Sequence, residues 1–585
     1  MQHNGDVMKA MRRFSVVALA ISVLGASAAC RSSTPPASGT TSAAPRRGGE
    51  LLISARTEPR SFNRHVARDS TTNMVASLMN ARLVRINKVT DAVEPWLAES
   101  WELGDQGRRV TMKLRQGVVF SDGQPFTADD VVFAFRTVYD ERAGSVIADG
   151  LSPGGKKLQV AASDPHTVVI TFPEPFAPGL RILEDLPILP RHRLAAALDG
   201  GTFAKAWGLD TPPADLAGLG PFVLREYVPG QRLVFERNAH YFLKAADGTA
   251  LPYLDRVVLE IIPDQSAELL RLESGQLDII SSEISPDAYA PLKRAADQGR
   301  VKLLDLGVSH NADGLWFNLK PGAFAGDARA AWLQRDELRH AISMAVDRKV
   351  FADTVFLGAG VPIVGAETPA NKKWYWAGTK EPAHDPAGAR QMLASIGLSD
   401  RNGDGTMEDA KNQPVRFTLL TQKGRANLER AAAVIRDELK KIGVGVDIAA
   451  LDGATLIEQF LSGRYEAVYF NADKTDLDPG SNPDFWFSSG SAHPWNIEQK
   501  TPATEWEKEI DRLMLEQSSI VDAGKRKALF DEAQRIFAEN VPVLYFAAPR
   551  LFYGYSKRLH GVVPSVMRPP VLWNADMLSV TSPKK

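Results

Sequence analysis

The chain has 585 residues, a formal net charge of -1, 24% charged residues and 44% apolar residues. Such a length exceeds one ordinary core and calls for two or three domains. The balanced charge leaves no basic excess to argue for nucleic acid and no acidic tract to argue for disorder, and the apolar content is that of a globular protein.

The first thirty residues stand apart. Arg12-Arg13 precede an apolar run over 14–25, and the small residues 26–29 lead to Cys30. A charged start, a short apolar stretch and a small-residue exit predict a secretory signal over 1–30, against the alternative of a buried N-terminal helix. The run is too short for a permanent membrane span. Cys30 is the only cysteine, so no internal disulfide can form. Its position resembles the lipidated cysteine of bacterial lipoproteins, with Ser27 where their box usually has Leu. Ala26-Ser27-Ala28 would equally suit ordinary cleavage, leaving Cys30 a free thiol. Residues 31–47, rich in Ser, Thr, Pro and Ala, read as a flexible tether.

The folded part opens with a strand over 51–54, then a helix over 73–83 and a strand at Leu83-Val84. Val110, Met112 and Leu114 alternate with Thr111, Lys113 and Arg115, a half-buried strand. Asp122-Gly123 makes a turn, and Thr127 with Asp130 three residues on predicts a capped helix whose inward stripe is Val132, Phe135 and Val138. A strand follows over 167–172. In 218–280, Leu233 and Phe235 alternate with Arg232 and Glu236 after a Pro229-Gly230 turn. A strand over 257–262, a helix over 266–273 closed by Gly275, and a strand over 277–280 complete that stretch. From Arg335 the pattern is helical, with Leu338, Ile342, Ala345 and Val346 on one face; His340 has no partner in sequence and reads as solvated or locally bonded.

The most informative region is 415–471. A strand over 415–420 precedes the helical stripe Leu428, Ala431, Ala432, Ile435, Leu439 and Ile442, which Gly443 closes. A strand over 444–448, a helix over 455–461 and a strand over 466–471 follow, and a helix over 526–537 lies further on. This β-α-β-α-β order implies parallel pairing with right-handed crossovers, and such sheets bind ligands beyond the carboxyl ends of their strands. Two loops fall there, Thr421-Gln422-Lys423-Gly424-Arg425 and Ala472-Asp473-Lys474-Thr475-Asp476. An arginine and an aspartate facing one cleft would suit a zwitterion.

Other chemistries find less support. Asp400, Asn402 and Asp404 sit at alternate positions like the start of a calcium loop, but the twelfth position is Lys411, and an Asn-Gly/Asp-Gly turn explains the stretch as well. No metal site or cofactor is assigned. There is no H-E-x-x-H, G-x-S-x-G, P-loop or G-x-G-x-x-G pattern, so no catalytic residue is assigned, although scattered carboxylates could still assemble a hydrolase site.

The wording of the chain carries a resemblance. Pro95-Trp96-Leu97-Ala98-Glu99-Ser100-Trp101, Gly218-Leu219-Gly220-Pro221-Phe222, Arg237-Asn238-Ala239-His240-Tyr241-Phe242, Pro252-Tyr253-Leu254-Asp255-Arg256 and Gly275-Gln276-Leu277-Asp278-Ile279 occur in that order. Leu338-Arg339-His340-Ala341-Ile342 and Ala345-Val346-Asp347-Arg348 follow. From Gly48 onward the chain resembles the peptide-binding (dipeptide/oligopeptide) class of ABC-transporter extracytoplasmic solute-binding proteins, bacterial family 5. The resemblance implies an α/β, bilobal periplasmic-binding-protein-like fold, two α/β lobes joined by hinge strands with an extra inserted subdomain. Its segments would be 48–94, 208–313 and 540–585 for the first lobe, 95–207 for the subdomain and 314–539 for the second lobe. Residues 315–319 resemble the strand crossing between lobes, and 542–546 the strand returning to the first.

The same resemblance implies an aspartate after the strand 466–471 that holds a peptide's α-ammonium. Asp473 matches that position, with Phe470 where an aromatic is usual; extra residues before Pro479 leave Asp476 and Asp478 open as alternatives. Asn471, Tyr545 and Trp486 complete the implied ligand site, and Arg425 would meet the peptide carboxylate. The stretches 483–490, 495–496 and 504–507 resemble a subgroup with less uniform ligands, so a modified peptide, an opine-like compound, a sugar or a chelated metal stays open as cargo. The implied partners are a peptide or other small solute and the membrane permease of an ABC transporter. Nucleic acid is not among them, and the membrane would be met only through a lipid anchor. The implied protein is a monomer in the periplasm or cell envelope.

Overall fold

The computed structural model describes residues 46–471, 474, 476–567 and 569–581; Cys30 and Asp473 lie outside them. Three sheets carry the architecture. The first has the order Lys302–Val308, Ala547–Tyr555, Ile279–Ile280, Glu50–Ala55, Arg256–Ile261, Arg232–Arg237 and Phe222–Val228, with Gly360–Pro362 added beside the start of Ala547–Tyr555. Glu50–Ala55 runs parallel to Arg256–Ile261, and the hairpin turns at Gly230, whose φ of 71° suits glycine. Leu51, Ile53, Leu233, Phe235, Val257 and Leu259 point into one core. The helix Gln265–Glu273 begins where Asp264 accepts the Ala267 N–H. The last strand of this stretch is shorter than the pattern predicts, Ile279–Ile280, because Leu277 still donates to the Arg271 carbonyl and closes the helix.

An antiparallel sheet, Ala98–Gly104, Arg109–Leu114, Thr167–Thr171 and Gln159–Asp164, forms a separate core with Phe120, Phe126 and Phe135. Beside it the helix Ala128–Tyr139 has the expected capping box, with Asp130 accepting the Thr127 N–H at 2.9 Å. Its buried face differs from the expected stripe. Val131, Ala134, Phe135 and Val138 are buried and Val132 is half-buried, because the core lies one position round the helix. The helix expected over 73–83 spans Ser70–Met79: Asp69 accepts the Thr72 N–H and fixes the start, and Asn80 is already extended.

The second large sheet has the order Gly445–Leu451, Arg416–Gln422, Ala467–Asn471, Asp313–Phe317, Val543–Tyr545. Arg416–Gln422 pairs in parallel with both Gly445–Leu451 and Ala467–Asn471, as the β-α-β-α-β pattern requires. Both faces are covered. Leu315 and Phe317 enter a core with the helix Ala426–Lys441, while Trp316 enters another with Phe530 and Phe537. The two large sheets are the cores of two lobes.

The connections between them differ from expectation in position. Asp313–Phe317 lies inside the second sheet, so the first crossing is 309–312 rather than 315–319. Val543–Tyr545 also belongs to the second sheet, held there by pairing with Gly314, Leu315 and Trp316. The chain returns to the first sheet at Phe546, one residue before Ala547–Tyr555. Two short crossings of this kind are where hinge bending concentrates.

Candidate functional site

The site is built from the carboxyl ends of the parallel strands and the crossings beside them. The Lys423 N–H donates to the Leu451 carbonyl at 2.7 Å, knitting two of those ends together. Arg425 is the N-cap of the helix Ala426–Lys441 and is exposed. Phe470 and Tyr545 both stand opposite Gly314, one on each side, so one cross-strand row holds Phe470, Gly314 and Tyr545. Directly opposed residues share a face. Gly314 is required there: a Cβ would come within 2.5 Å of Val543 Cγ1 and 3.3 Å of the Tyr545 ring. Asn471, in register with Asp313, is half-buried at the strand's end. Tyr545 is buried, its hydroxyl has no hydrogen-bond partner among the described residues, and burial with the nearby Glu367 carboxylate pushes its phenol well above the usual range.

The implied residues are not all brought together. Trp486 is 2% exposed and lies in an aromatic cluster of the second lobe, with ring centroids 5.0 Å from Phe530 and 5.6 Å from Phe537. The packing of its two neighbouring helices, Glu505–Ser519 and Ala523–Asn540, places it in that core. Arg425 is exposed at its helix start, two residues before Asn427, whose amide donates to Asp313, the register partner of Asn471, at 3.3 Å.

The segment after Asn471 is tightly bound where it is described. Asn311, on the first crossing, donates to the Lys474 carbonyl and accepts the Lys474 N–H, each at 3.1 Å. The Lys474 ammonium is buried, bonds the Ala366 carbonyl and lies 3.4 Å from Glu367. Burial pushes the Glu367 carboxyl up, and the ammonium and Asn371 oppose that push. Asp478 receives two bonds from Arg526, at 2.9 and 2.5 Å, with both side chains buried in the second lobe. Asp476 accepts from Arg181 Nε at 2.5 Å, and Arg181 Nη2 donates to Asp91 at 2.6 Å. Arg181 therefore ties the second lobe to Asp91, and its side chain is 7% exposed. Both alternative aspartates are thus already met by arginines.

Nothing in the sequence near Arg181 marks it, since its partner lies 295 residues away. Other contacts join the same bodies. The Ala177 N–H donates to the Ser518 carbonyl at 2.6 Å, Arg430 lies 3.3 Å from Asp287, and Ile86, Leu477 and Met567 form a small apolar cluster. The lobes meet.

The calcium-like stretch gathers Asp400, Asp404 and Glu408, whose oxygens lie within 4.8 Å of one another. Backbone N–H groups already use them: Gly403 and Gly405 bond Asp400, Thr406 bonds Asp404 and Arg401 bonds Glu408. These bonds make it a tight turn.

Two lobes, two crossings and parallel strand ends at the seam define a two-lobed ligand-binding fold. The chain belongs to the bacterial extracellular solute-binding proteins, family 5, whose middle region it matches over residues 92–494. It is 26% identical to a probable ABC transporter-binding protein of Deinococcus radiodurans over 509 residues, 84% of this chain and 85% of that one. It is 26% identical to the oligopeptide-binding protein AppA of Bacillus subtilis over 571 residues, 93% of this chain and 94% of that one. The solved structure of NikA from Brucella suis in complex with Fe(III)-EDTA superposes with a TM-score of 0.75 at 21% identity, covering 92% of this chain and all of that one. That likeness is one of fold. Among the described residues no helix is long and apolar enough to cross a membrane.

Proposed function

We propose that the protein is the extracytoplasmic substrate-binding component of an ABC importer, capturing peptides between its lobes and delivering them to a membrane permease without turnover. The observation that carries this reading is the likeness to an oligopeptide-binding protein along 93% of the chain. Asp473 is assigned to the peptide ammonium and Arg425 to its carboxylate, with Phe470, Asn471 and Tyr545 beside them. Charge-assisted bonds at the two termini would fix the backbone, and water around the side chains would give broad specificity. Closure is a population shift, so the ligand must touch both lobes. The lobes are assigned to 48–94, 208–313 and 540–585, and to 314–539, with the subdomain at 95–207. The protein acts as a monomer anchored in the envelope through lipid on Cys30.

A non-peptide solute is the second reading. It becomes the better reading if Asp473 meets no ammonium, because Asp476 and Asp478 are already neutralised by Arg181 and Arg526. The test is a thermal-shift screen of residues 47–585 against di-, tri- and longer peptides, with amino acids and sugars as controls. A ligand at 100 times its Kd adds about 2.7 kcal/mol to the folded state. A peptide shift lost in Asp473→Asn supports the assignment. A shift only with another cargo keeps the transport role and removes the peptide.

A further inference from the structure

Inside the second lobe, the segment 362–381 folds against Trp486 and the helix Ala523–Asn540 around a cavity of about 160 Å³. A cavity near that size holds a benzene-sized molecule. Its lining starts at Pro362 and Ile363, which pair with Ala547 and bond the Phe546 carbonyl at the second crossing, and reaches Gln534 and Phe537 in the helix Ala523–Asn540.

Its chemistry is one-sided. Tyr375, Trp376 and Trp486 supply aromatic surface, Glu367 and Glu381 supply carboxylates, and no lysine or arginine lines it. The walls are fixed. Gln534 accepts the Trp376 N–H at 3.2 Å and donates to the Trp374 carbonyl at 2.9 Å. Gly378 lies so close under the Trp376 indole that a Cβ would come within 2.2 Å of the ring. The carboxylates differ. Glu367 is buried and balanced by Asn371 and Lys474, whereas Glu381 is exposed and makes no hydrogen bond or ion pair among the described residues, its charge being felt by the buried Arg348 behind Ile363. The indole N–H of Trp486, buried on the wall, has no acceptor among the described residues. A buried donor left unmade is unfavourable.

We propose that this cavity binds a small organic ammonium carrying one acceptor oxygen. The cation lies against the rings of Trp376 and Tyr375 in the field of Glu381, and the oxygen receives the Trp486 N–H. Aromatic faces attract quaternary ammonium groups through their quadrupoles, and a nearby carboxylate adds to that attraction.

Choline is the probe, with 3,3-dimethyl-1-butanol as its neutral isostere and tetramethylammonium as the cation lacking the hydroxyl. Calorimetric titration of the full chain is expected to show choline binding about tenfold tighter than the isostere, with tetramethylammonium between them, as one cation–π contact of ordinary strength implies. Trp376→Ala and Glu381→Gln are each expected to weaken choline severalfold and to leave peptide-induced thermal shifts unchanged. Glu381 is exposed, so its variant folds even if Trp376→Ala does not. Equal binding of choline and the isostere, no choline heat at millimolar concentration, or undiminished choline binding in Glu381→Gln would overturn the proposal. The peptide screen reports on the transport reading separately.

Discussion

Two acid–arginine pairs, two residues apart in sequence, do different work. Asp478 and Arg526 both belong to the second lobe, and each side chain is 6% exposed. Asp476 and Arg181 have the same chemistry, but their partnership exists only while the two bodies touch. The first pair is a fixed part of a core that also holds Gln517 against Arg526 and stacks that arginine over Trp374 at 4.7 Å. The second is a contact that domain movement makes or breaks. Burial alone does not separate the two; what separates them is whether the partners can part without unfolding.

The comparison breaks most sharply at Asp478. Asp478→Ala leaves the Arg526 charge buried without its carboxylate, and the expected loss is about 3–5 kcal/mol in urea unfolding. If the loss is below about 1 kcal/mol, the pair is not the fixed element described above.

Acid sharpens the comparison next. His65 is fully buried between Thr137 and the Pro187 carbonyl, and burial lowers its ring to about 4. Its folded pKa lies below the unfolded value, so the unfolded chain takes up the proton first. The stability from a neutral His65 is complete above about pH 6.5, falls as pH drops toward 4 and is lost below that, on the order of 3 kcal/mol. Melting temperatures measured between pH 7 and 4 should fall accordingly. Burial pushes the Asp476 carboxyl above its usual range although Arg181 opposes that push, so the interlobe contact is expected to weaken toward the acid end of the same window.

Arg181→Met tests the other side. Its expected cost to unfolding is about 1 kcal/mol or less, because the lobes can part and rehydrate Asp476 and Asp91. Small-angle scattering should show a larger radius of gyration, and ligand affinity should fall in step with the closed population. A stability loss matching that of Asp478→Ala would erase the distinction. The smallest effect belongs to Arg430→Ala: its partner Asp287 is largely exposed, and the pair is worth about 0–1 kcal/mol, further reduced by salt.

Much of the fold was legible because its signals are local. The alternation of apolar residues and the stripe from Leu428 to Ile442 act over a few residues, and they placed the parallel strands of the second lobe correctly. The Thr127–Asp130 box did the same for a helix start. The rest depends on pairing. Whether Asp313–Phe317 crosses between lobes or lies inside one sheet is decided by Ala467–Asn471 and Val543–Tyr545, each more than 140 residues away. Val132 missed the core by one step of the helix, a distinction that spacing alone does not make. Of the site, the row of Phe470 and Tyr545 was within reach of motif reading, whereas Arg181 and the burial of Trp486 follow from three-dimensional neighbours with no mark in sequence.

Phe546 carries a mechanical consequence. It is the sole residue between the strand ending at Tyr545 and the strand starting at Ala547, it is fully buried, and its carbonyl accepts the Ile363 N–H at 3.1 Å. A residue offers two soft torsions, and here both are hemmed in by a ring 5.0 Å from that of Phe351. With the other crossing at 309–312, Phe546 defines a line about which the second lobe swings. Cargo can change how far it swings, but hardly the direction, so the surface offered to a membrane partner in the shut state is the same whatever lies inside.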